Sequence, residues 1–426
     1  MAQNLRGLLT PVKSLFGGTV AFMAGNSLLG VVLPLRMEAT GFPVALIGII
    51  MAAYYLGLAL GGFRAKRVIL RIGHIRAFAV FAALTAAVCL AYAFFFHPAA
   101  WVILRIVNGF CIAGMTTTIE SWLNERSSNE TRGRILGYYM LAFYLAIALG
   151  QTLVNVAPVG GDDHLMISAT LIGLALIPVA KTRLGEPNLS DLRALGVRQL
   201  FAASPVGVVG AAVAGTLIGS FYALGVVFAR QIGLDVTEAA MFMSTVVIGG
   251  LAAQVPVGML ADRYDRRIIM SLMLIAVGSS WALLSNSIAV GLPVGVLMIM
   301  ALAFGGAISS VYPLCVAQTF DRLERRYYVA ASGRLLMVYS IGATIGPLLA
   351  SALMSLYGPK SFFLFESAVA VSYALFVLVQ VRKGPELPVE GREKFVPLPD
   401  ISPVAMRMDP RTDPDTGEDG AAHPPR

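Results

Sequence analysis

The stretch Gly258-Met259-Leu260-Ala261-Asp262-Arg263-Tyr264-Asp265-Arg266-Arg267 joins two long apolar runs. No charge falls between Ala239 and Ala261, and none between Ile268 and Phe320. About 20 apolar residues in a helix cross the ~30 Å hydrocarbon layer of a bilayer. The decapeptide therefore reads as a turn between two membrane spans, its charges marking where water begins. Gly258 allows a tight turn and close helix packing at the span end. Asp262 is placed to face a helix N-terminus, where the dipole is positive. Arg263, Arg266 and Arg267 anchor the turn on one side of the membrane.

The same pattern repeats along the chain. Charge is absent from Ser14 to Leu35, Ala39 to Phe63, Ala77 to Leu104, Ile135 to Gly161, Gln199 to Ala229 and Leu335 to Pro359. The run 268–320 is too long for one span, and it breaks at Ser285-Asn286-Ser287 and Gly291-Leu292-Pro293. Of the 426 residues 57% are hydrophobic and only 13% charged, against about 25% charged in soluble domains. Backbone groups in lipid must be bonded within the segment, so the spans are expected to be helices. The alternation of a membrane barrel is missing. Twelve are expected, at 14–36, 43–63, 75–96, 99–121, 134–156, 164–180, 205–228, 238–260, 267–285, 291–316, 332–356 and 361–381. The first is read as a span and not a cleaved leader, being too long and lacking a small-residue cleavage site.

The net charge of +8 suggests nucleic acid only until its placement is considered. With the N-terminus inside, 23 of the 32 basic residues lie on inner segments, while the outer side holds Arg36, Arg230 and Lys360. This bias is the positive-inside pattern of a multi-pass protein in a bacterial inner membrane, with both termini in the cytoplasm. No nucleic-acid partner is expected. Cys89, Cys111 and Cys315 lie in apolar segments without paired spacing, so neither disulfides nor metal are expected. The four histidines fall at loops, span ends or the tail. With no HExxH, no carboxylate pair in the spans and no Walker loop, an enzyme and direct ATP drive are both disfavoured.

The polar stretch 181–204 separates two sets of six spans, 1–180 and 205–382. The tail, 383–426, is rich in Pro, Asp and Glu and is expected to be disordered. The halves resemble each other. GGFRAKRVILRIGHIRAF follows span two and VGMLADRYDRR follows span eight. GRIL at Gly133 matches GRLL at Gly333, and AGMTTTIES in span four matches GGAISSVYP in span ten. Such order points to a duplicated six-helix unit, as in repeat-built transporters.

The G-x-x-x-D-R-x-x-R-R pattern at this span boundary resembles the signature loop of the major facilitator superfamily. The resemblance implies an all-α membrane protein, twelve helices in two pseudo-symmetric six-helix bundles around a cavity open alternately to each side. The first copy departs from it: Lys66 or Leu70 takes the acidic position, depending on the alignment, so the family's acidic latch is not expected in that half. ESW, TRGRILGYYMLAFYLAIALGQ, VYPLCVA and GRLLMVYSIGATIGPLLA are similar to the YcaD-like bacterial branch. Gly342-Ala343-Thr344-Ile345-Gly346-Pro347 resembles the Gly-Pro motif of family antiporters, displaced from helix 5 to span eleven.

Leu104-Arg105-Ile106-Val107-Asn108-Gly109 is similar to the family's helix-4 motif. Gly109 and Gly114 let helices approach closely. A cation within a span faces a cavity or a partner, so Arg105 holds an anionic substrate group, biases a nearby proton site, or snorkels to the interface. Glu120 lies 15 residues on, about 22 Å along a helix and within about 60° of the same face. It reads either as a proton carrier or as a structural partner of Arg132 or Arg134. Glu366, early in span twelve, is expected in a wetted position at the outer leaflet. The set Asn26, Asn108, Tyr144, Gln151, Tyr222, Gln254, Tyr312 and Tyr339 is expected to supply the oriented polar groups of an otherwise apolar cavity.

The function expected is secondary active transport of a small solute, proton-coupled and by alternating access, by a monomer in the lipid bilayer without cofactors. A transporter-like receptor or an uncoupled facilitator is the competing reading. The threading itself is directly checkable: cysteines at Gly161 and Gly196 are expected to react with a membrane-impermeant reagent from opposite sides.

Overall fold

The computed structural model describes residues 13–125, 127, 131–181, 196–287, 293–384 and 395–396. Residues 1–12, most of the 181–204 segment and most of the tail lie outside them. Helices account for nearly all of the described chain, and no strand occurs among the described residues.

The twelve long helices are α1 Lys13–Ala39, α2 Val44–Ile72, α3 His74–Phe94, α4 Pro98–Glu125, α5 Arg132–Thr152, α6 Asp163–Ala180, α7 Pro205–Gln231, α8 Val236–Arg263, α9 Arg266–Ser287, α10 Val294–Phe320, α11 Tyr328–Tyr357 and α12 Lys360–Lys383. All but α9 have the length and apolar composition to cross a bilayer, and α9 occupies the place of the ninth expected span. α6 is broken once, after Leu174. A short helix, Val197–Ala203, precedes α7.

Several helices run past the expected ends. The stretch after span two, expected as a loop, is helical through Ile72. Its stripe Ala65 and Ile69 is buried, which pulls the flanking basic residues into the helix. Gly73 alone makes the turn into α3, with φ +85°, a conformation costly for other residues. The second turn is one residue longer: α8 reaches Arg263, and only Tyr264 and Asp265 separate it from α9. Gly258 therefore lies within α8 and not at its end.

Glycines set the helix spacing, in pairs related by the duplication. A Cβ built on Gly57 of α2 would overlap the Ile106 carbonyl of α4, and one on Gly109 of α4 would overlap the Tyr54 carbonyl. Six helices later, Gly249 of α8 and Gly305 of α10 stand in the same relation to Leu302 and Val246. Gly150 against Ala24 (α5 on α1) is matched by Gly342 against Ala212 (α11 on α7). Without a hydrophobic drive between helices in lipid, such close approach lets dispersion contacts hold them.

The bundles meet mainly at the end away from the basic turns. There the Ala45 N–H donates to Ser355 Oγ at 3.0 Å (α2 to α11) and Ser244 Oγ to the Ala148 carbonyl at 3.2 Å (α8 to α5). Gln254 Nε2 donates to the Tyr144 hydroxyl at 2.9 Å, at about mid-height of α5. Two turns further toward the basic end, a Cβ on Gly137 of α5 would meet nothing within 4 Å. The contacts Ala45–Ser355 and Ser244–Ala148 close the central space at the end away from the basic turns.

The basic end of the second bundle is tied by Arg266, 1% exposed. Its guanidinium donates to Asp321 at the end of α10 (2.7 Å), to Asp262 (3.0 Å) and to the Ala261 carbonyl (3.3 Å). Arg267 pairs with Asp265 at 2.8 Å and donates to the Gly384 carbonyl at 3.1 Å. Asp262 is expected from sequence to face a helix N-terminus; instead it accepts from Arg266 and from the backbone N–H of Phe395 (2.9 Å). The tail, expected to be disordered throughout, thus has Phe395 and Val396 packed on the bundle. Removing one member of a buried ion pair leaves the other charge uncompensated and costs about 3–5 kcal/mol. Asp262 still pairs with Arg266 when Asp321 is removed, so Asp321→Ala is expected to destabilise the protein by less than that, read as a lowered midpoint of thermal unfolding in detergent.

Candidate functional site

Between the bundles lies a cavity of ≈ 120 Å³. With a water taking about 10–15 Å³ of such space, this fits a body on the order of ten heavy atoms. Its wall draws on α1, α2, α4 and α5 from one bundle and on α7, α8, α10 and α11 from the other. Most of the wall is aliphatic, thioether or aromatic, with few polar tips, the composition of a small-molecule site.

Arg105 is the one charged residue of that wall, and it is 3% exposed. It does not snorkel to the interface. α4 directs it inward, over the ring of Tyr54 on α2, whose centroid is 4.7 Å from the guanidinium carbon. One terminal nitrogen donates to Asn108 Oδ1 at 3.3 Å. Asn108 donates in turn to Asn26 Oδ1 at 3.4 Å, and Asn26 to the Tyr54 hydroxyl at 3.2 Å. The four side chains form a closed circuit across α1, α2 and α4. It orients the guanidinium without neutralising it, for none of its members is acidic. Arg105 Nε has no hydrogen-bond partner, and no carboxylate lies within ion-pairing distance among the described residues.

Magnitudes show what this arrangement lacks. A cation–π contact contributes roughly 0.5–2 kcal/mol, whereas burying an ion costs several kcal/mol. One long hydrogen bond to a neutral amide does not close that gap. The site is therefore completed by water or by an anion entering the cavity.

Six of the sequence candidates line the cavity: Arg105, Asn26, Tyr144, Gln151, Tyr222 and Tyr339. Among the described residues Gln151 Oε1 has no hydrogen-bond partner, which leaves it available to a donor. Three candidates stand behind the wall. Asn108 orients Arg105, Gln254 holds Tyr144, and the Tyr312 ring packs 5.1 Å from that of Tyr339. Tyr54, Tyr55 and Ser309 line the cavity and were not singled out from sequence. The signal for the first two is the Tyr-Tyr pair in the middle of a charge-free run.

Both span carboxylates lie away from the cavity wall. Glu120 is 0% exposed and accepts from the Tyr139 hydroxyl of α5 at 3.0 Å. Glu366 corrects the sequence expectation: it is 1% exposed and sits inside the second bundle, not in a wetted position. Its position faces the interior because α12 packs on α9, α7 and α11 at once. Ser220 of α7 lies beside it, but the Ser220 hydroxyl is directed to the Thr216 carbonyl at 2.6 Å. Neither Glu366 oxygen has a hydrogen-bond partner among the described residues. The turn residues Gly258, Asp262, Arg263, Arg266 and Arg267 form a separate cluster at the basic end.

Residues 15–180 and 206–412 match the family model of the Major Facilitator Superfamily. An uncharacterized MFS-type transporter of Enterobacter sp. (strain 638) is 26% identical over 89% of this chain and 97% of its own length. The uncharacterized MFS-type transporter YcaD of Escherichia fergusonii is 25% identical over 87% and 96%. Among solved structures, the nucleoside transporter NupG superposes with a TM-score of 0.70 at 16% identity, over 87% of this chain and 99% of its own. A bacterial homolog of the human lysosomal transporter Spinster, inward-facing and occupied, superposes with a TM-score of 0.72 at 13% identity, over 90% and 97%. At such identities these two likenesses concern the fold.

Proposed function

We propose, for a chain that belongs to the Major Facilitator Superfamily and is a membrane transporter rather than an enzyme, that its cargo is a small organic anion with an apolar body. Transport proceeds by alternating access in the inner membrane, with proton coupling. The observation that carries this reading is Arg105: an oriented, buried cation without a counter-charge among the described residues, in the wall of a cavity shared by both bundles. The carboxylate or phosphate of a solute supplies the missing charge, and the Tyr, Phe and Met side chains around it take the apolar remainder.

The basic turns place their end in the cytoplasm by the positive-inside rule. On that assignment both termini are cytoplasmic, and the contacts α2–α11 and α5–α8 lie on the outward side. Closing the basic end and parting the α2–α11 and α5–α8 contacts would present the same cavity outward. The cavity is complete within one chain, which supports action as a monomer. For protons, the carboxylates buried in spans are Glu120, bonded to Tyr139, and Glu366. Either one binds a proton only if the alternating motion gives it a path to water.

The test is uptake by proteoliposomes of a panel of small aromatic and branched aliphatic carboxylates and their neutral amides, with and without an imposed pH gradient. Carboxylate flux that follows the gradient, with amides excluded, is the expected result. Flux of amides equal to that of carboxylates would refute an anionic cargo. Binding without flux would make the protein a receptor. A charge-assisted hydrogen bond contributes about 1.5–3 kcal/mol, so Arg105→Gln is expected to weaken carboxylate binding roughly 10- to 100-fold. Neutral-amide binding should stay unchanged. Glu120→Gln and Glu366→Gln are expected to separate the roles of the two acids: the proton carrier is the one whose loss abolishes gradient-driven flux but spares exchange.

A further inference from the structure

Phe395, twelve residues beyond the end of α12, packs on the basic end of α8, and Val396 packs on the core with it. Three observations make this a seat rather than a chance contact. A Cβ on Gly258 would collide with the Phe395 ring, so the ring lies where only glycine leaves room. The Phe395 N–H donates to Asp262 Oδ1 at 2.9 Å. Arg267 holds the Gly384 carbonyl at 3.1 Å, fixing where the tail leaves the bundle. The intervening residues span up to about 3.3–3.6 Å each, enough for the segment to dock here and also to leave.

The seat lies on a particular face of α8. At about 100° per residue, Ser244, Gln254, Gly258 and Asp262 fall within roughly 80° of one another around the helix. Ser244 and Gln254 are the residues through which α8 meets α5. Gly258 is one turn below Gln254, and Phe395 therefore covers the next part of the surface that faces α5. On α5, Gly137 is two turns below Tyr144 and has open space before it. Closure of the basic end would bring these two stretches together, and Gly258 would again be the residue that permits it.

We propose that this face of α8 is a docking surface with two mutually exclusive occupants, the Phe395–Val396 segment of the chain's own tail and the basic end of α5. While the tail is docked, the cytoplasmic side stays open. Release of the tail frees the Gly258–Asp262 surface for closure, so the tail sets the ratio of inward-open to outward-open protein. The inference rests on the alternating access proposed above and is independent of the cargo.

The experiment needs no substrate. Spin labels are placed at Arg134→Cys and Arg263→Cys, exposed at the basic ends of α5 and α8 and beside the closing faces; the native cysteines are all buried and leave the added thiols reactive. Distances between the labels are measured by pulsed electron resonance in lipid nanodiscs for the full chain, for Phe395→Ala, and for a chain ending at Gly384. The long distance is expected to dominate in the full chain. The short-distance fraction should rise about fivefold or more in both variants, as a two-state equilibrium requires when one state loses a favourable contact. The point substitution keeps the chain intact, so a folding defect of the truncated form would not decide the result. Two distances in an unchanged ratio across the three chains would overturn the tail's role alone. A single distance in all three would overturn it together with alternating access.

Discussion

A peptide N–H or C=O in hydrocarbon has no water to bond, and leaving one unsatisfied costs several kcal/mol. That constraint forces every crossing segment into a helix that bonds its own backbone, and the rest of the architecture follows from it. Once backbones are satisfied internally and side chains are as apolar as the lipid, helices gain little by hiding from their surroundings. They associate where shape allows close contact. Glycine supplies that shape here: the reciprocal pairs Gly57/Gly109 and Gly249/Gly305 put α2 on α4 and α8 on α10 at backbone distance.

The same packing decides where polarity survives. Bringing α2 against α4 sets the Tyr54 ring under Arg105, and α1 adds Asn26 to complete the circuit. The cation is held by groups too weak to neutralise it. In the second bundle an aromatic cluster fills the interior, with Trp281 stacked on Phe363 at 3.7 Å. Glu366, one turn beyond Phe363, is the acid buried near it. Each bundle buries one carboxylate, Glu120 or Glu366, but only the first puts a charge, Arg105, in the cavity wall. This asymmetry between pseudo-symmetric halves is where transport chemistry would be expected to reside.

The basic end shows one motif doing two jobs. Arg266 and Arg267 are positive-inside residues by sequence, yet both are buried and paired, tying α8, α9 and α10 to one another and to the start of the tail. Asp262 and Gly258 remain on the surface that looks toward the other bundle. A turn needed for topology thereby also controls which partner that surface receives.

Span number, helical class, the duplication and the family were legible in the sequence, because each depends on local runs of apolar residues and on charge order at the water boundary. Arg105 was legible as well, since a charge inside a span is conspicuous whatever surrounds it. The reach of α2 to Ile72 was not, because the buried stripe of Ala65 and Ile69 is defined only by what packs on it. Glu366 was misread for the same reason: distance along a span says how deep a residue lies, but not which way it faces. Tyr54, the displacement of Asn108, Gln254 and Tyr312 behind the cavity wall, and the seat of Phe395 on Gly258 all depend on neighbours distant in sequence. Hydropathy and charge act residue by residue and can be read in order; a cavity, a circuit and a docked tail exist only once separate helices have met.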